Sequence, residues 1–173
     1  FLLSMPQRLV TSSPAAASHY WAESKGDLAA IEETDEDTDE GDSDQKPLVG
    51  RLASLARELD LSKRLALVDT KYNLLKQQLK QLWADDPDTK VIVFSSFKPT
   101  LDYLRARLSQ DSIDSELLHG SVAEPRDQIL SRFRDSKETN VLLSSEVASE
   151  GVDLQFSWVV FNYDLPWNPM KLE

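Results

Sequence analysis

The sequence predicts an α/β fold, a parallel sheet flanked by helices, and three observations predict it. Short runs of β-branched and aromatic residues, such as Val91-Ile92-Val93-Phe94, recur from Lys90 onward. Segments with apolar residues at helical spacing separate them. The connections are only a few residues long, which favours right-handed strand-helix-strand crossovers.

In chain order, Ser12-Ser13-Pro14 followed by Ala15, Ala16 and Ala17 reads as a helix start: a serine cap, proline in the first turn, then strong helix formers. One helix to about Trp21 is too short to fold alone, so residues 1–24 are expected to be an arm docked on another part of the fold. Glu32 to Asp44 holds nine acids and no base or large apolar side chain. Such a block repels itself and cannot bury apolar area, which predicts an acidic disordered linker over residues 25–47. Residues 48–173 are expected to form the α/β lobe.

Leu52, Leu55, Ala56 and Leu59 give a short amphipathic helix. A longer one runs from Asp69 to about Trp83, with Leu75, Leu79 and Leu82 as its apolar stripe and Lys71, Lys76 and Lys80 facing outward. Asp85-Asp86-Pro87-Asp88 ends it. Val91 to Phe94 is then a strand covered on both faces, Pro99 to Leu108 a helix, Ser115 to Leu118 a strand and Pro125 to Arg134 a helix. Val141 to Leu143 and Val159 to Phe161 are the last two strands. No internal repeat is present.

Composition excludes several chemistries. The chain has 173 residues, no cysteine and two histidines. A disulfide framework, a thiolate zinc site, a cysteine nucleophile and a histidine-rich metal centre are therefore ruled out. No run approaches the roughly 18 apolar residues of a membrane span, and Phe1 to Met5 is too short for a signal-peptide core. The expectation is a soluble, intracellular protein with no membrane partner and no bound metal of its own.

In open parallel sheets, ligands bind beyond the carboxyl ends of the strands. The residues there are Ser95-Ser96-Phe97, His119-Gly120-Ser121, Ser144 to Gln155 and Asn162 to Pro169. They are small, polar and glycine-bearing. Hydroxyls and free backbone N–H groups at such turns suit phosphate oxygens. Gly120 and Gly151 are two of five glycines in the chain, and each permits either a positive φ or close approach of a phosphate to the backbone. Plain turn chemistry is the competing reading for each. No GxxxxGK run, GxGxxG or GxSxG occurs, so no nucleotide-hydrolysing machinery and no catalytic residue is expected within the chain.

The segment from Val141 to Glu173, VLLSSEVASEGVDLQFSWVVFNYDLPWNPMKLE, resembles motif five and the approach to motif six of superfamily-two helicases, specifically the Swi/Snf-like branch that includes the bacterial RapA type. VIVFSSF from Val91 resembles motif four, and LHGSVAEPRDQILSRF from Leu118 resembles the intervening strand and helix. RLVTSSPAA resembles the helix that follows the first ATPase lobe in these proteins. The resemblance spans Leu65 to Glu173 and extends to Gln7 to Trp21.

The resemblance implies a RecA-like second lobe of P-loop NTPase type. It also implies ATP and Mg, bound mainly by a first lobe that carries the P-loop. The implied partners are nucleic acid, with DNA favoured, that first lobe of the same longer chain, and RNA polymerase or another DNA-bound complex. The implied location is the cytoplasm, at the nucleoid if bacterial. By motif position, Ser145 is the hydroxyl on a nucleic-acid phosphate, Gly151 the close-approach glycine and Asp153 an acceptor from the ATP ribose. Glu150 lies between them on the nucleotide side, or else caps a helix. Ser96 and Phe97 fall at the end of motif four near the nucleic-acid path, with packing against a helix as the other reading of Phe97. His119 and Gly120 fit a backbone contact to phosphate; no nucleophile accompanies His119 as a base. Arg126 resembles the arginine of the following helix, one residue closer to Gly120 than in the family pattern. Trp167 reads as interface packing.

After the position of Glu173, just before motif six, the family continues with Gln-Arg-x-Gly-Arg. With the absence of an initiator Met, this raises the expectation of a fragment lacking the hydrolytic lobe and the arginine finger, inactive by itself. Without the nine acids of the linker the net charge of -11 becomes -2, and from Lys90 onward nine bases face thirteen acids. That is poor for a self-sufficient nucleic-acid binder, so weak or undetectable DNA binding is expected of this chain alone. The rival expectation is a non-enzymatic α/β interaction module whose acidic tract binds a basic partner.

Overall fold

The computed structural model describes residues 5–23, 46–149, 151 and 154–164. Its helices α1 (Met5–Ser12) and α2 (Pro14–Glu23) form the arm, followed by α3 (Lys46–Glu58), α4 (Leu61–Leu67) and α5 (Thr70–Asp85). The lobe then alternates β1 (Val91–Phe94), α6 (Lys98–Gln110), β2 (Ser115–Leu118), α7 (Arg126–Asp135), β3 (Val141–Ser144), the one-turn α8 (Glu146–Ser149) and β4 (Val159–Asn162).

The four strands form one sheet in the order β2-β3-β1-β4, all parallel. Their side chains alternate between two cores, as the period of two requires. Val91, Val93, Leu117, Val141 and Leu143 pack with Leu75, Leu79, Leu101, Leu104 and Leu108 of α5 and α6. Ile92, Leu118 and Leu142 point the other way, onto Ile129, Leu130 and Phe133 of α7 and Ala148 of α8. β1 and β3, the central strands, are covered on both faces, which is why their sequences are continuously apolar. β4 lies at the edge; Val160 is half exposed and Trp158, just before the strand, is 88% exposed.

Local chemistry sets the helix ends. Ser13, rather than Ser12, caps α2: its Oγ accepts from the Ala16 N–H at 3.1 Å, with Pro14 at the first helical position. Asp69 caps α5, accepting from the Tyr72 N–H at 3.0 Å. At the other end Asp86 closes a turn, accepting from the Asp88 N–H and the Thr89 hydroxyl. Lys90 donates to the carbonyls of Ser136 at 2.5 Å and Thr139 at 2.8 Å, pinning the turn between α7 and β3.

The structure corrects several expectations. α1 and α4 are helices that periodicity did not show. α1 contains Pro6 and the β-branched pair Val10-Thr11, poor helix formers, and it is held by tertiary contact through the fully buried Leu9. α3 starts at Lys46, so Lys46 and Pro47 of the predicted linker are helical; the remainder of that linker lies outside the described residues. Its inward face is Ala53 and Ala56, while Leu55 and Leu59 are 41% and 45% exposed. Small residues face the arm because α2 approaches closely there. Lys71 and Lys76 do not simply face outward: each is partly buried and paired, Lys71 with Ser12 and Asp164, Lys76 with Asp111.

Candidate functional site

Parallel register brings all four strand ends to one rim. Phe94 pairs with Ser144 and Asn162, and Ser144 with Leu118, so the four last residues stand in one row. Hydrogen bonding then continues one residue further. The N–H groups of Ser95, Ser145 and Tyr163 donate to the carbonyls of Ser144, Leu118 and Phe94 at 3.2, 3.1 and 2.8 Å. Ser95, His119, Ser145 and Tyr163 therefore form a second row, and every one of them is buried. The residues open to a ligand come one to three positions later: Ser96, Lys98, Gly120 and Ser121.

The predicted residues fall on this rim in different ways. Ser145 is 1% exposed. Its Oγ accepts from the Ala148 N–H at 3.3 Å and so caps α8. The His119 ring is also buried: Nδ1 accepts from the Ser121 N–H at 3.2 Å and Nε2 faces Asp102 Oδ1 at 3.5 Å. Both nitrogens are thus directed at groups of the chain. Gly120 is exposed at the tip of the turn. Phe97 has its ring in a separate core with Leu9, Ala17, Trp21, Ala53 and Ala56, and the Arg8 guanidinium lies 6.0 Å from the ring centroid. The side chain of Phe97 is packing, not part of the exposed rim. Ser96, next to it, is partly exposed, and Arg126 is exposed on the first turn of α7. Gly151 has φ +70°, and a Cβ there would meet nothing within 4 Å. Its glycine therefore answers the backbone conformation, with open space above it. Glu150, Asp153 and Trp167 lie outside the described residues.

Sequence reasoning missed two features of the rim. Lys98 Nζ donates to Ser121 Oγ at 3.1 Å. Because β3 lies between β1 and β2, this bond links the turns on either side of β3 and places a cation at their junction. The second is Asp164, whose side chain is 7% exposed. It accepts from the Ser95 hydroxyl and faces Lys71 Nζ at 3.5 Å. Beside it, burial first of all pushes the Tyr163 hydroxyl well above its ordinary pKa, so the ring stays neutral. Asp164 lies within a segment searched for strand-end residues, but its partner Lys71, 93 positions away, gave no local signal.

The rim offers hydroxyls, backbone N–H groups and a lysine ammonium. Such a set positions anions without reacting with them. Among the described residues no three His, Asp or Glu side chains gather as metal ligands. A cavity of about 410 Å³ lies elsewhere, at the amino ends of the strands, bordered by Lys80, Trp83, Asp111, Ile113, Glu138 and Asn140.

Residues 70–173 match the helicase conserved C-terminal domain. The chain is 40% identical over 87 residues to an uncharacterized ATP-dependent helicase, YqhH, of Bacillus subtilis, which covers 50% of this chain and 15% of the relative. It is 31% identical over 121 residues to DEAD-box ATP-dependent RNA helicase 14 of Arabidopsis thaliana, covering 68% of this chain and 19% of the relative. Among solved structures, the C-terminal part of the Fun30 ATPase domain superposes with a TM-score of 0.53 at 28% identity, covering 58% of this chain and 32% of that one. The helicase domain of Pyrococcus furiosus Hef shares the fold, with a TM-score of 0.52 at 23% identity over 70% of this chain and 26% of that one. The chain thus spans a minor part of the length of each of these relatives.

Proposed function

The chain belongs to the helicase conserved C-terminal domain family, and on that premise we propose that it is the second, RecA-like lobe of an ATP-dependent helicase or translocase of the Swi/Snf-like type. The observation that carries this reading is the single rim: parallel register brings the ends of the four strands within the helicase-like segments, Phe94, Leu118, Ser144 and Asn162, to one end of one sheet. Lobe closure against a first, P-loop-bearing lobe would complete the ATP and nucleic-acid clefts.

In this reading Ser96, Lys98, Gly120 and Ser121 present donors to a phosphate backbone, with Arg126 beyond them on α7. Ser145 and His119 shape the turns from beneath. Glu150, Gly151 and Asp153 face the nucleotide. The positive φ and open space at Gly151 fit an approaching ligand, and Mg and the phosphates are held mainly by the other lobe. DNA is the proposed track, supported by the motif resemblance; several relatives are named as RNA helicases. The first lobe of the longer chain is the immediate partner, and RNA polymerase or another DNA-bound complex a further one.

ATP turnover of the full chain with duplex DNA or with RNA tests this. Stimulation by duplex DNA is expected, and stimulation by RNA alone would remove the Swi/Snf-like assignment. Asp153→Ala should weaken apparent ATP affinity on the order of tenfold, as loss of a charged hydrogen bond does; unchanged affinity would remove its ribose role.

A further inference from the structure

The ammonium of Lys71, on α5, sits where three segments meet: α5 itself, the end of α1 and the residues that follow β4. It donates to the Ser12 carbonyl at 2.7 Å, faces Asp164 Oδ1 at 3.5 Å and lies 4.1 Å from the centroid of the Tyr163 ring. Ser12 is the last residue of α1, so its carbonyl belongs to the terminal set that lacks intrahelical partners, and a cation there is favoured by the helix dipole. The other oxygen of Asp164 accepts from the Ser95 hydroxyl, and Ser95 Oγ in turn accepts from the Phe97 N–H at 3.2 Å. A continuous polar path thus runs from the end of α1 through Lys71 and Asp164 to the turn after β1.

A second, apolar path joins the same two places. The Phe97 ring packs on Leu9 of α1 and on Ala17 and Trp21 of α2. The Ser12 hydroxyl also shares a 2.9 Å hydrogen bond with Thr100, in the first turn of α6. Seating of the arm and the shape of the Ser95 to Lys98 turn are therefore fixed by the same contacts. Removing the ammonium would leave the Asp164 carboxylate buried beside a neutral tyrosine with its charge uncompensated. It would have to move, and Ser95 is bonded to it.

We propose that Lys71 is a positioning residue that, through Asp164 and Ser95, couples the docking of the α1-α2 arm to the geometry of the β1 rim turn. The functional half of this rests on the reading of that rim as a nucleic-acid face. Because the arm precedes the lobe in the chain, a shift of the arm relative to α5 would be felt at Ser96 and Lys98.

Hydrogen exchange on the full chain tests the coupling. In Lys71→Met, peptides covering residues 5–23 and 95–98 should both exchange on the order of tenfold faster, as expected for loss of a charged hydrogen bond, while peptides of α7 and β3 stay protected. Lys71→Arg, which keeps charge and donor, should restore most of the protection. Asp164→Asn, which removes the charge, should loosen the same two segments, and the double variant should add little to either single change. Faster exchange in only one of the two segments, in neither, or uniformly across the lobe would overturn the proposal. If Lys71→Met does not fold, Asp164→Asn decides by the same criteria. Nucleic-acid affinity of the full chain is the separate readout: paired loosening in Lys71→Met with unchanged affinity would leave the coupling standing and remove the rim from the nucleic-acid path.

Discussion

The Tyr103 hydroxyl donates to Oδ2 of Asp69 at 2.8 Å, while Oδ1 of the same carboxylate caps α5. One side chain thus starts a helix and satisfies the hydroxyl of a buried ring on α6, the neighbouring helix. Asp69→Ala removes both contacts. The cap is worth about 1 kcal/mol, and an unsatisfied buried hydroxyl costs about 1–3 kcal/mol. A loss of roughly 2–4 kcal/mol is expected in urea denaturation, with Asp69→Asn retaining the larger part of the stability.

Alkaline pH should unfold the lobe. Burial is the leading cause that raises the pKa of Tyr72, Tyr103 and Tyr163, followed by the carboxylate of Asp111 for Tyr72 and of Asp69 for the other two. A folded pKa above the unfolded one favours the protonated, folded form at low pH. Stability is then fully present below the unfolded value of about 10 and falls as pH rises past it. Tyrosinate absorbance and ellipticity recorded together should change in one transition; ionisation of these rings ahead of unfolding would contradict the burial argument.

In acid the sign reverses. The Tyr72 hydroxyl, donating at 2.5 Å, is the main cause that holds the Asp111 carboxyl below its usual range, with Lys76 at 3.1 Å assisting. A depressed folded pKa gives stability that is present above the unfolded value of about 3.9 and is lost as pH falls through the folded one. Asp111→Asn should flatten the acid limb of a stability-against-pH curve. An unchanged limb would show that the pair contributes nothing to acid sensitivity.

Phe133 carries the α7 side of the sheet. It is fully buried with Ile92, Ile129 and Leu142, and its ring lies 5.6 Å from that of Phe156. Phe133→Ala is expected to cost about 3–5 kcal/mol, read as a lower denaturation midpoint with little change in slope.

Lys98 should act as a phosphate contact. In the full chain, Lys98→Ala is expected to weaken nucleic-acid binding about equally across sequences and to reduce the salt slope by about one. A titration at several salt concentrations checks this, and an unchanged slope would exclude the ammonium from the contact.

Much of the fold can be read locally. Val91 to Phe94 and Ser115 to Leu118 are strands at the residues where composition places them. The stripe of Leu75 and Leu79 is buried as its spacing requires. α1 was not legible, because its sequence has weak helical preference and the contacts that hold it are remote; Ser12 meets Thr100 across 88 positions. At the rim the turns could be located, with Ser96 and Gly120 among their accessible residues, but not the inward seat of His119 and Ser145. Sheet hydrogen bonding continues one residue past each strand, and that draws His119 and Ser145 inward.

By itself, then, the sequence determined a parallel α/β lobe, the four turns at its carboxyl rim and a helicase-like motif order, because hydrophobic periodicity and turn chemistry act over a few residues. Only the tertiary structure decided the strand order β2-β3-β1-β4, the meeting of Lys98 with Ser121 and the seat of Lys71 between Ser12 and Asp164. Those contacts join residues up to 93 positions apart. Their partners are chosen by the packing of helices on the sheet, which no local window contains.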